Sequence, residues 1–198
     1  MVSVNGNYIP DDSDRALVER VKLIVRDQTH ECVQMLRALL RASHDGEEAT
    51  QAEVAWQLQD YGLEPVVIRK APSSIVTHGE FAAESESDAQ PRTTIAARRH
   101  GVGGGRSLML WAHPDGMPFD GAPGWSVDPF EGVIRDGRML GWGVGDDLSG
   151  VATMLLIPRI LRVLNVPARG DLLMVSAPSK LHASGVLAAM QAGFVADA

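Results

Sequence analysis

Between Asp14 and Ala42 apolar residues recur at intervals of three and four, through Leu17, Val18, Val21, Ile24, Val25, Val33, Leu36, Leu39 and Leu40. That spacing lines one face of a helix, and one long helix or two short ones fit it equally well. Ser43 to Gly46 breaks the pattern. Glu47 to Tyr61 resumes it through Ala52, Val54, Ala55 and Leu58, with Gly62 placed to end the helix. Glu64 to Arg69 reads as a strand. Residues 71–92 are rich in Pro, Ser, Glu and Asp and have no period, which predicts an exposed loop or insertion. Thr93–Arg99 and Ser107–Ala112 are strand-like and flank Gly101, Gly103, Gly104 and Gly105. This cluster lacks the Gly-Lys-Ser/Thr ending of a phosphate loop and lies between two strands, so a hairpin turn is the expectation.

Further on, Pro114–Gly124 reads as a long loop and Gly132 to Leu140 as a short strand pair. Helical spacing returns from Leu148 to Leu164, with a kink expected at Pro158, whose ring removes a backbone donor. Asp171 to Ala177 is a near-continuous apolar run, as in a strand buried on both faces. His182 to Ala192 reads as a final helix. Helices alternating with strands predict an α/β domain, a mostly parallel sheet with helices on both faces. Chemistry in such sheets collects at the carboxyl ends of strands. Two segments fall there: His113-Pro114-Asp115 after Ala112, and Pro178 to His182 after Ala177.

With 198 residues, 45% of them hydrophobic, residues 1–198 are expected to form a single packed domain. The formal net charge is −7 and the 18 basic residues are scattered among acidic ones, which argues against nucleic acid as a partner. A lone Cys32 can make neither an internal disulfide nor a cysteine zinc cage. The polar, acidic stretch Met1–Asp14 and the lack of a bilayer-length apolar run predict a cytoplasmic protein with no membrane partner.

His113 and Asp115 can share a cleft at a strand end. The pair is open to two readings, a local hydrogen bond in a turn or a metal ligand beside its orienting carboxylate. Gly141-Trp142-Gly143-Val144-Gly145-Asp146-Asp147 delivers two carboxylates just before a helix. Asp147 is expected to cap that helix. Asp146 then becomes the candidate for a site, on glycine-rich backbone that can approach a ligand closely.

Together these segments make Leu108 to Ala198 resemble the acetylornithine deacetylase, succinyl-diaminopimelate desuccinylase, aminoacylase and carboxypeptidase G family of two-metal hydrolases. The resemblance is carried by Ala112-His113-Pro114-Asp115, by Trp125-Ser126-Val127-Asp128-Pro129-Phe130-Glu131-Gly132 with Arg135-Asp136-Gly137-Arg138, by Gly141 to Asp146, and by Gly170-Asp171-Leu172-Leu173. It implies a phosphorylase/hydrolase-like zinc-exopeptidase catalytic domain, one or two zinc ions, and a small N-acyl amino acid or peptide as substrate. It also implies that His113 is a metal ligand, that Asp115 orients it, and that Asp146 bridges both metals.

In the family, two adjacent glutamates follow the strand that matches Asp171 to Ala177. The first is the general base and the second a metal ligand. Here Pro178-Ser179-Lys180-Leu181 places Lys180 and Leu181 at those positions. Lys180 therefore stands where the base is expected. Its ammonium either replaces a metal charge beside Asp146 or Asp115, or, with a pKa depressed by burial, acts as a base itself. His182 either starts the following helix or supplies a further ligand. The family domain continues through a lid and dimerisation domain, so the resemblance implies a truncated catalytic domain whose sheet a partner chain could complete. Two functions are then expected: a metal-dependent amide hydrolase with an incomplete site, or an inactive, metallopeptidase-like binding or regulatory subunit.

Overall fold

A computed structural model describes residues 11–71, 74–75, 90–121, 123–178 and 183–198, with the backbone of 3–4 and 7–8. Most of the 71–92 stretch lies outside these residues, as do Ser179, Lys180, Leu181 and His182.

After a short antiparallel pair, β1 (Ser3–Val4) and β2 (Asn7–Tyr8), helix α1 spans Asp12–Asp27 and α2 spans Thr29–His44. The first periodic stretch is thus two helices, parted at Gln28. The Asp11 carboxylate caps α1, accepting from the N–H groups of Ser13 at 2.8 Å and Asp14 at 3.0 Å, while Asp14 accepts from the Asp11 N–H. Helix α3 runs Glu47–Asp60 and closes as Gly62 predicts. Gly62 takes φ +78°, the Leu63 N–H reaches the Leu58 carbonyl at 3.0 Å, and the Gly62 N–H reaches Gln59 at 2.8 Å.

Next come β3 (Val66–Lys70), β4 (Arg92–Arg99), β5 (Leu108–Ala112), the hairpin β6 (Val133–Arg135) and β7 (Arg138–Leu140), α4 (Ser149–Leu164), β8 (Leu172–Ser176) and α5 (Ser184–Gln191). Asp136 and Gly137 turn the hairpin, both with positive φ. Helix α4 continues through Pro158.

The main sheet has the order β3-β4-β8-β5. The α/β layering expected from the sequence is present, but the sheet is mixed: β8 is parallel to β5 and antiparallel to β4, which is antiparallel to β3. An unbroken apolar strand reports burial on both faces and says nothing of its direction. Alternate residues of β8 serve opposite cores. Leu172 and Met174 join α2, α3 and α4 with Leu39, Leu40, Leu58 and Leu155, and Leu173 and Val175 join α5 with Leu187 and Ala189.

The expected hairpin between β4 and β5 does not form, because β8 lies between them. The glycine loop instead crosses the start of β8, with the N–H groups of Val102 and Gly103 donating to the carbonyls of Ala168 and Arg169 at 2.8 and 2.9 Å. A Cβ on Gly101 or Gly105 would fall within 2.6 Å of Arg169 or Gly170 atoms, so close crossing, not a tight turn, demands glycine there. No helix among the described residues is long and apolar enough to cross a membrane.

Candidate metal centre

The parallel pairing of β5 and β8 ends at Ala112 opposite Ser176, and one further bond, Ala177 N–H to Ala112 C=O at 2.9 Å, holds the two strand ends level. His113 follows directly. Because β4 runs the other way, its first residue, Arg92, lies at this same end of the sheet. The start of α3 closes the space, leaving a cleft of about 580 Å³ lined by Glu47, Arg92, Asp115, Phe119, Trp142 and Asp146, among others.

His113 is buried, with 6% of its surface exposed. Its Nε2 lies 3.0 Å from Asp146 Oδ1 and its Nδ1 lies 2.9 Å from the Asp115 backbone oxygen. Both ring nitrogens therefore face oxygens that can only accept, whereas a neutral imidazole has a single N–H to offer. With Nδ1–H donated to the carbonyl, the Nε2 lone pair points at a carboxylate, an arrangement completed by a cation between them or by a second ring proton.

Asp146 reaches His113 from a wide turn over 144–148, in which the Leu148 N–H bonds to Gly143 at 3.1 Å and the Asp146–Asp147 peptide is cis. The adjacent Asp147 turns the other way and accepts from the Gly150 N–H at 3.1 Å at the start of α4, the capping role expected of it.

Asp115 holds His113 differently from the resemblance. Its backbone carbonyl is the acceptor facing Nδ1, while one carboxylate oxygen is 3.7 Å from Nδ1 and the other is 3.2 Å from Arg92 Nη2. Arg92 also makes a two-pronged contact with Glu47, through Nε at 3.3 Å and through Nη2. The sequence reading missed Arg92 and Glu47. By sequence pattern Arg92 falls in the loop before β4, and only the antiparallel direction of that strand brings it to the cleft.

Phe130 of the Trp125 to Gly132 motif lines one wall with Phe119 and Trp142. Phe119 packs edge-on against Phe130 and Trp142 at ring separations of 5.5 and 5.2 Å, and Trp142 Nε1 donates to the Met117 carbonyl at 2.7 Å.

His113 Nε2 and the Asp146 carboxylate are suitable donors for zinc, whose catalytic sites normally use three protein ligands. No cluster of three or more His, Cys, Asp or Glu placed to hold a metal occurs among the described residues. The expected contributions of Lys180 and His182 lie outside those residues.

Residues 109–179 match peptidase family M20/M25/M40. Over this segment the chain is similar to the M20 peptidases. Among curated proteins, 93 residues are 31% identical to the N-formyl-4-amino-5-aminomethyl-2-methylpyrimidine deformylase of Halalkalibacterium halodurans, covering 46% of this chain and 22% of the relative. Another 76-residue match is 38% identical to the succinyl-diaminopimelate desuccinylase of Parvibaculum lavamentivorans, covering 38% of this chain and 18% of the relative. The fold is similar to that of human carnosine dipeptidase 1, with TM-score 0.62 and 18% identity over 81% of this chain and 34% of that one. The matches therefore take in about a fifth of the curated relatives' length and a third of the solved structure's.

Proposed function

We propose that this chain is the cation-binding part of a metal-dependent amide hydrolase that acts in the cytoplasm on small N-acyl amino acids or short peptides, with His113 and Asp146 as zinc ligands. The observation that carries this reading is His113 Nε2 aimed at the Asp146 carboxylate while Nδ1 is taken by a carbonyl. The M20 match over this segment and the deformylase and desuccinylase relatives support amide bonds as the target. Zinc bound there would supply Lewis acidity toward an amide carbonyl. The chain's own contribution is a cleft that orients the ligand imidazole and walls one side with aromatic rings.

A second reading, an inactive binding or regulatory subunit, is favoured by Lys180 and Leu181 at the positions of the family's glutamates. An ammonium there repels a dication, and leucine offers no donor. Zinc calorimetry on the wild type, His113→Ala, Asp146→Asn and Lys180→Glu, with hydrolysis of N-acetyl amino acids and dipeptides, separates the readings. Zinc binding lost in both ligand variants, together with turnover, supports the hydrolase. Zinc binding without turnover supports the inactive subunit, and wild-type zinc affinity in His113→Ala overturns the metal centre itself.

A further inference from the structure

We infer that Arg92, held by Glu47, is a positioning residue for the cation ligand His113, an inference that rests on the proposed metal centre. His113 keeps its ring orientation through the carbonyl of Asp115, two residues away. That contact is only as firm as the His113-Pro114-Asp115 turn, and the chain beyond it runs into Gly116 and a Met117 that is 78% exposed. Asp115 is fixed from the side, by the 3.2 Å contact of its carboxylate with Arg92.

Arg92 is in turn well anchored. Its backbone is paired with Lys70 at the end of the β3–β4 ladder, and its guanidinium engages both carboxylate oxygens of Glu47 on the first turn of α3. A planar fork placed between two carboxylates ties the helix, the strand and the loop together in a way that a flexible point charge does not. The side chains of Arg92, Glu47 and Asp115 are each less than a quarter exposed, so solvent screens the contacts less than at an open surface. The carboxylate also lies nearer Arg92 than His113 Nδ1, which leaves the uncharged carbonyl as the ring's partner.

The test uses the whole chain and the variants Arg92→Gln, Arg92→Lys and Glu47→Gln. Zinc chloride titration gives affinity, and ¹⁵N–¹H spectra of the His113 ring in metal-free protein give its tautomer and hydrogen bonding. Arg92→Gln should weaken zinc binding about 10- to 100-fold and shift the His113 ring signals, Arg92→Lys should recover part of both, and Glu47→Gln should act in the same direction less strongly. Unchanged ring signals in Arg92→Gln overturn the inference. If wild type binds no zinc, the proposed metal centre fails, and the ring signals alone still decide whether Arg92 positions His113. If Arg92→Gln does not fold, Arg92→Lys and Glu47→Gln carry the test, and His113 signals identical to wild type in both overturn the inference.

Discussion

Gly170 runs directly beneath Arg106: a Cβ added to Gly170 would stand 1.8 Å from the Arg106 carbonyl oxygen. The obstacle is backbone, which no rotamer change can move aside. Gly170→Ala must therefore push the entry to β8 away from the glycine loop, and a loss of about 2–4 kcal/mol is expected in urea unfolding. Gly116→Ala, where nothing lies within 4 Å, serves as the control and should stay within about 0.5 kcal/mol of wild type.

That contact also explains how the hairpin expectation arose. Two strand-like runs parted by glycines carry the local signature of a turn, and the strands are antiparallel to each other, as in a hairpin. What the local pattern lacks is β8, which arrives from far along the chain. The end of α3 at Gly62, the burial of β8 and the capping role of Asp147 were legible because each depends on neighbouring residues. Arg92 was not, since its place at the cleft follows from strand direction. His113 and Asp146 are 33 residues apart, and only the family resemblance linked them before their geometry was known.

Adjacent aspartates with different partners should separate cleanly. Asp147→Ala removes the acceptor for the Gly150 N–H and should lower stability by about 1 kcal/mol in thermal unfolding, leaving zinc affinity unchanged. Asp146→Asn should do the reverse, weakening zinc binding with little change in the unfolding midpoint.

Gln51 is buried on α3, and its Nε2 donates to the carbonyls of Thr93 at 2.8 Å and Ser176 at 2.9 Å, joining the helix to β4 and β8. Gln51→Leu keeps the bulk but strips both acceptors of their donor. A loss of about 2–4 kcal/mol is expected in denaturant unfolding.

Asp171 has its pKa lowered, first by the Gly101 N–H and then by Arg98. A carboxyl that is more acidic in the folded state adds stability that is full above its unfolded value, near ~4, and is lost as pH falls through the folded value. Asp171→Asn should accordingly narrow the stability gap between pH 6 and pH 3, read by urea midpoints at both pH values.

The insertion of β8 between β4 and β5 also sets an order of events during folding. The two earlier strands leave the ribosome first, joined by a loop short enough to close quickly, whereas their native neighbour follows only after α4. Any direct pairing of β4 with β5 would therefore have to open again before β8 could take its native place between them. In the native sheet the crossing at Gly170 fixes the glycine loop over the start of β8, so the link from β4 to β5 passes across the strand that separates them.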